Sequence, residues 1–210
     1  MTNRMTASLP DGFVYLRDHV PDLIESMDYA GPDNFLGRKV TGYQRGVAVL
    51  TRAAAQALTV ASRQAARSGL RFKVFDAYRP QRAVDEFLRW INEPDDADCK
   101  ALFYPHIDKS QLFTAGYLAA RSAHSRGSTL DLSLVDASGN ALDMGTRFDF
   151  FGPESWPQSD AVSTAQRANR DLLAALMTAA GFHEPHPQEL WHFTLRDEPY
   201  IDTWFDFPVD

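Results

Sequence analysis

Ser122-Ala123-His124-Ser125-Arg126-Gly127-Ser128-Thr129-Leu130-Asp131, continued by Leu132-Ser133-Leu134-Val135, is the stretch from which the rest of the chain can be read. From Thr129 to Val135 apolar and polar residues alternate, the period of a half-buried strand. Leu130, Leu132 and Leu134 are then expected to face a core, with Asp131 on the opposite face beside Thr129 and Ser133. His124 lies just before the turn at Gly127, so an imidazole and a carboxylate converge at the polar side of a sheet. Two such groups do not make a catalytic zinc site, which takes three protein ligands and keeps one position open for water. The chain must therefore supply another ligand, a base and a group to stabilise an oxyanion.

Toward the N-terminus, Leu70 to Asp76 alternates as a second strand and runs into Ala77-Tyr78-Arg79-Pro80, where Pro80 suits the first turn of a helix. That helix is expected to turn Ala83, Val84, Phe87, Leu88 and Ile91 inward. Arg79, at a strand end beside a helix N-terminus, is placed to meet an anion, although spacing alone favours a surface or salt-bridging arginine. Before this strand, Thr51 caps an Ala-rich helix with Leu50, Ala54, Leu58 and Ala61 on one stripe, stopped by Gly69. Earlier still, Gly12 to Leu16, Leu23 to Tyr29 and Arg38 to Gly42 read as short strands, with a turn at 30–34.

Toward the C-terminus, Glu93 to Asp98 reads as a solvated acidic loop, and 104–117 has room for a short helix. Asp136 to Gly139 is a turn, and Met144 to Phe151 is aromatic enough to pack while carrying Asp149. Gly152 to Asp160 is an irregular loop long enough to border a site. Ser163 or Thr164 caps a second clear helix with Leu172, Leu173, Leu176 and Ala180 as its buried stripe, ended by Gly181. Glu189 to Leu195 reads as a strand. No internal repeat or low-complexity segment is present.

Of the six histidines, His192 stands out, because an imidazole between Trp191 and Phe193 in an apolar strand needs a partner. His183 and His186 are the rivals for the third ligand, but set among Pro185 and Pro187 they read as residues of a solvated connector. With His124, Asp131 and His192 as zinc ligands, the open position would hold a water acidified toward neutral pH. Glu189 could take its proton and pass it to a leaving amine, and Arg79 could stabilise the oxyanion. Residues three apart face opposite ways on an ideal strand, so Glu189 can join His192 only from a bend or bulge before it. These parts describe amide hydrolysis.

Asp76-Ala77-Tyr78-Arg79-Pro80, the His-x6-Asp spacing from His124 to Asp131, and Glu189-Leu190-Trp191-His192 closely resemble the motifs of the zinc D-alanyl-D-alanine dipeptidases of the vancomycin-resistance type. Asp28-Tyr29-Ala30, Arg147-Phe148-Asp149-Phe150 and Arg196-Asp197-Glu198-Pro199-Tyr200 extend the likeness over nearly the whole chain. It implies a compact α+β fold, one domain over 1–210 with a flexible tail at 1–10, and a central antiparallel sheet flanked by helices. It likewise implies one Zn2+ per chain on His124, Asp131 and His192, with Glu189 as base and Arg79 as transition-state cation. Tyr29, Ser122 and Asp149 match residues that hold the dipeptide, the last suiting its free ammonium group, a contact that rejects longer chains. Two departures are present. Ala123 stands where resistance-type members often carry a second serine, which bears on dipeptide selectivity, and Leu190 replaces a bulkier aromatic.

The composition agrees with a small-molecule enzyme. A net charge of -7 with no Lys/Arg cluster argues against nucleic acid or anionic lipid as partner. No apolar run approaches the roughly 20 residues needed to span a bilayer, and the start shows no apolar leader. Together with the single Cys99, this gives a cytoplasmic location as the expectation. Two other readings compete with the dipeptidase: a carboxypeptidase on longer peptidoglycan peptides, and a non-catalytic zinc-stabilised binding module, for which Glu189 and Arg79 would not be needed. Antibiotic resistance, wall recycling and use of D-alanine would all be served by one reaction.

Overall fold

A computed structural model describes residues 9–210, so most of the tail expected at 1–10 lies outside the described residues. The order of elements is β1 (Phe13–Tyr15), β2 (Ile24–Glu25), β3 (Val49–Thr51), α1 (Arg52–Ala66), β4 (Arg71–Asp76), α2 (Gln81–Trp90), α3 (Ala97–Phe103), β5 (Thr129–Val135), α4 (Thr164–Ala179) and β6 (His192–Thr194). A four-stranded sheet runs β2-β4-β5-β6, and β1 pairs with β3 in a small second sheet. The α+β expectation holds. The central sheet is mixed, however, since β2 joins β4 in parallel while β5 runs antiparallel to both of its neighbours, β4 and β6.

Leu130, Leu132 and Leu134 face Phe72 and Val74 in the core, as the alternation requires. The strand is nevertheless buried on both faces along its full length, because its polar face is covered too. Thr129 there bonds Thr194 across the sheet (2.9 Å), and Asp131 sits beneath the segments described below. Helix α1 packs against β4 and α4. Thr51 caps it through Ala54 N–H (3.3 Å), and Ser163 caps α4 in a reciprocal capping box with Gln166.

Several expected elements are shorter or turned differently. Between 23 and 29 only Ile24–Glu25 is extended, and Asp28–Ala30 is a turn of 3-10 helix. Arg38 to Gly42 forms no strand, since its backbone is claimed by side chains. Asn34 Nδ2 donates to the carbonyls of Asp28, Gly31 and Arg38, and Thr41 N–H donates to Glu86 (2.7 Å). On α2, Trp90 and Glu86 are buried while Leu88 and Ile91 are half-buried, because Trp90 packs edge-on against Phe35 and Tyr104. On α4, Leu172 is exposed, and Arg170 is buried in its place by donating to the carbonyls of Met144, Glu154 and Trp156. The acidic run from Glu93 ends earlier than expected, for Asp96 caps α3 by accepting from Asp98 and Cys99 N–H. The short helix expected within 104–117 is the 3-10 turn Lys109–Gln111, and the strand expected from 189 is confined to His192–Thr194. Among the described residues no helix is long and apolar enough to cross a membrane.

Candidate metal centre and substrate pocket

Three chain segments deliver the site. Ser122 to Arg126 forms a 3-10 turn in which Ser122 Oγ accepts from His124 N–H (3.2 Å). Gly127 closes it at φ +82°, where a Cβ would overlap the Phe13 ring. Outside groups pin the loop: Thr51 N–H donates to Gly127 O (2.7 Å), Phe205 N–H to Ser125 O (2.8 Å) and Arg79 N–H to His124 O (3.4 Å). On the sheet, Asp131 of β5 stands opposite His192 of β6. The β4–β5 register slips between Val74 and Asp76, which brings Asp76 opposite Asp131 as well.

His124 Nε2 lies 3.2 Å from Asp131 Oδ2 and 3.2 Å from His192 Nδ1, and His192 Nδ1 lies 3.2 Å from Asp131 Oδ1. The ligand atoms of all three residues fall within 4.8 Å of one another. His124 Nδ1 sits 2.7 Å from Ala77 O; donating there leaves Nε2 as the free lone pair facing its neighbours. Asp131 Oδ1 is buried and accepts no hydrogen bond of sound geometry despite its closeness to His192. Lone pairs aimed at a shared point, and not at one another's protons, are what a cation fits. Two imidazoles and one carboxylate are a donor set suited to zinc among the common metals. The charges agree. Burial would lower the basicity of His192, yet Asp131 and Glu189 outweigh it and push the imidazole up to about 10. Burial would raise Asp131, and the two imidazoles hold it well below the carboxylate range.

Glu189 reaches the centre from a bend. Its N–H donates to His186 O (3.0 Å) and its carbonyl accepts from His192 N–H (3.3 Å), so the chain turns before β6 and Glu189 Oε2 comes to 3.2 Å from His192 Nδ1. The irregularity demanded by the three-residue spacing is present. Arg79 enters from the other side: its Nε donates to Asp76 Oδ2 (2.8 Å) and its Nη2 lies 3.5 Å from Asp131 Oδ2. The guanidinium rests over the rings of Tyr29 and Phe87, 5.1 and 5.2 Å from their centroids. Asp76, fully buried, also accepts from Tyr43 OH (2.6 Å).

In front of these groups opens a cavity of about 180 Å³, with Tyr29, Ser122, Asp149, Phe151 and His186 among its lining. Tyr29 OH donates to Asp149 Oδ2 (2.7 Å). Burial pushes the Asp149 carboxyl well above its usual range, and Asp131 and Glu189 add to it. Asp149 is also the only non-glycine residue among those described with a left-handed backbone, at φ +58°, a strained conformation of the kind kept at functional positions. All eight residues singled out from the sequence are thus gathered at one centre, each of them along the cavity wall.

The sequence reading missed three contributors. His186, read as part of a solvated connector, is half-buried and lines the cavity, its ring 5.5 Å from that of His192; its antiparallel bridge with Glu189 folds it back. His183 is exposed, as read. Asp76 and Tyr43 received no role, and the signal for Asp76 was a carboxylate three residues before an arginine at a strand end. The loop at 152–160 does not line the cavity, but Trp156 Nε1 donates to Tyr117 OH (3.2 Å), and Tyr117 does.

Residues 10–210 match the peptidase family model described as D-ala-D-ala dipeptidase. The chain is 40% identical over 202 residues to a D-alanyl-D-alanine dipeptidase of Enterococcus faecalis, covering 96% of this chain and 100% of the relative. It is 42% identical over 198 residues to the enzyme of the same name from Streptomyces coelicolor (94% and 98% covered) and 37% identical over 175 residues to that from Escherichia coli (83% and 80%).

Proposed function

The chain belongs to the D-Ala-D-Ala dipeptidase family of metal-dependent peptidases, and on that premise we propose that it hydrolyses the free dipeptide D-alanyl-D-alanine to two molecules of D-alanine. The observation that carries the reading is the convergence of His124, Asp131 and His192, with Glu189 Oε2 3.2 Å from His192 Nδ1, on a cavity of only about 180 Å³. His124 Nε2, His192 Nδ1 and an Asp131 carboxylate oxygen would hold one zinc ion per chain. Bound there, zinc supplies Lewis acidity, acidifying the attacking water and polarising the scissile carbonyl.

The protein's own groups do the rest. Glu189 takes a proton from the water as its oxygen attacks the carbonyl carbon, then gives that proton to the amide nitrogen as the C–N bond breaks. Arg79, oriented by Asp76, offsets the negative charge gathering on the carbonyl oxygen. Asp149, oriented by Tyr29, receives the substrate ammonium group, and that contact repays the cost of a buried carboxylate. Ser122 lines the cavity with a hydroxyl whose proton remains to be donated, since its oxygen already accepts from His124 N–H. The proposal keeps the cytoplasm as the compartment, consistent with one buried, unpaired Cys99.

Release of D-alanine from D-Ala-D-Ala by zinc-loaded protein, alongside Glu189→Ala and an N-acetylated dipeptide, tests the reading. Turnover of the free dipeptide that is lost in the variant and with the acetyl cap supports it. Equal cleavage of the capped substrate replaces it with a carboxypeptidase, and zinc binding without turnover of either replaces it with a binding module.

A further inference from the structure

A free dipeptide carries a carboxylate as well as an ammonium group, and the centre described above gives the carboxylate a poor reception. Asp131, Asp149 and Glu189 all line the cavity. Arg79, the cation nearest them, is committed to Asp76 at 2.8 Å with Asp131 at 3.5 Å. One other arginine lines the cavity, Arg121, immediately before Ser122. We infer that Arg121 is the specificity-determining residue that reads the terminal carboxylate of the substrate, an inference that rests on the dipeptidase reading.

Its surroundings differ from those of the neighbouring arginines. Arg82 is held by Asp206 at 2.8 Å and Arg126 by Glu198 at 2.6 Å. Arg121 is exposed and makes no ion pair among the described residues; its guanidinium lies instead over the Trp204 ring, 4.4 Å from the centroid. Stacking fixes the plane of a guanidinium while leaving its N–H edges free, the arrangement that accepts a carboxylate in two parallel bonds. The backbone beneath it is fixed as well. Gln81 Nε2 donates to Ala120 O (2.9 Å) on one side, and Ser122 caps the 3-10 turn on the other. Arg121 therefore offers an oriented, uncommitted cation at the wall of an otherwise acidic cavity. Asp149 and Arg121 would read the two charged ends of a zwitterion, so that a residue added at either end loses a charge-assisted contact.

The test compares D-Ala-D-Ala with its C-terminal amide, using wild type, Arg121→Gln, Arg121→Lys and Trp204→Leu. Wild type should favour the acid. Arg121→Gln should raise KM for the acid about tenfold, the scale of one charge-assisted contact at a solvent-facing position, with kcat within about twofold. Its kinetics on the amide should not move, so the acid-to-amide ratio of kcat/KM falls about tenfold. Arg121→Lys should restore part of that ratio, and Trp204→Leu should lower it by releasing the guanidinium. Equal effects of Arg121→Gln on acid and amide, or no effect on either, would overturn the assignment. If wild type cleaves neither compound, the dipeptidase reading falls and takes this inference with it.

Discussion

Asp76 and Asp131 stand directly opposite one another on neighbouring strands, both buried, because the β4–β5 register slips by one residue just before Asp76. Facing carboxylates in a sheet repel. Here cationic and hydroxyl donors are threaded around the pair: Tyr43 OH and Arg79 Nε donate to Asp76, and Arg79 Nη2 lies 3.5 Å from Asp131 Oδ2. An unbroken register would have set Asp76 against Leu130 and left Arg79 without its partner at the site.

If Asp76 works by aiming Arg79, Asp76→Asn should lower kcat by about a hundredfold, the cost of misplacing a catalytic group by roughly 1 Å, with zinc content unchanged by metal analysis. Equal loss of zinc would assign Asp76 to the metal centre instead. Tyr43→Phe should cost about 1–2 kcal/mol in urea denaturation, since it strips a buried carboxylate of one donor.

Asp149 poses a trade between stability and binding. Its carboxyl is held well above the usual range by burial, so the folded state keeps a proton that the unfolded chain releases at about pH 4. Stability attributable to this group therefore falls as pH rises above that value. Asp149→Asn, which tolerates φ +58°, should raise Tm at neutral pH by a few degrees, with the gain vanishing near pH 3–4. The same variant should raise KM for D-Ala-D-Ala and narrow the preference over the N-acetyl dipeptide. Asp149→Ala should be about 1 kcal/mol less stable than Asp149→Asn because its backbone is strained there.

Asp28 makes the same argument away from the chemistry. Burial, with Asp33 adding, raises it from 3.8 to about 6. The native state thus binds more protons than the unfolded chain between those values, and stability should decline from about pH 4 to about pH 6 and level off beyond. Asp28→Asn, keeping an oxygen for the Ser26 hydroxyl, should match wild type below pH 4 and exceed it above pH 6. Urea midpoints at four pH values would show it; a variant less stable at pH 7.5 would refute the assignment.

What could be read from the chain was set by period and spacing. The Leu130, Leu132, Leu134 alternation located the core face, and the Thr51 cap and Gly69 stop bounded α1 within two residues. What could not be read depends on contacts between distant segments. A register slip at Phe75 leaves no mark in a strand that alternates cleanly, so the Asp76–Asp131 pairing was hidden. Leu172 carried the helical period yet points outward, because Arg170 finds three carbonyls on a loop more than ten residues away. His186 looked solvated among prolines, and only its bridge to Glu189 turns it inward. The residues that gather at the cavity were legible because each lies in a local motif.

Metal removal separates the ligand set from the base. An ion that binds only the folded chain stabilises it by RT ln(1 + [L]/Kd), about 4 kcal/mol at a thousandfold excess over Kd. Chelation should therefore lower Tm, and zinc addition should restore it by an amount that grows with the excess of free zinc over Kd. His124→Ala removes the imidazole whose Nδ1 contacts Ala77 O, and should reduce bound zinc from one per chain to nearly none while abolishing the zinc-dependent rise in Tm. Glu189→Gln should behave in the opposite way, keeping stoichiometry and the Tm response but losing turnover, because Glu189 approaches His192 without belonging to the cluster of His124, Asp131 and His192. If Glu189→Gln also lost its zinc, Glu189 would be a ligand, and the proton transfer assigned to it would have to move to another group lining the cavity, for which His186 is the nearest candidate by position.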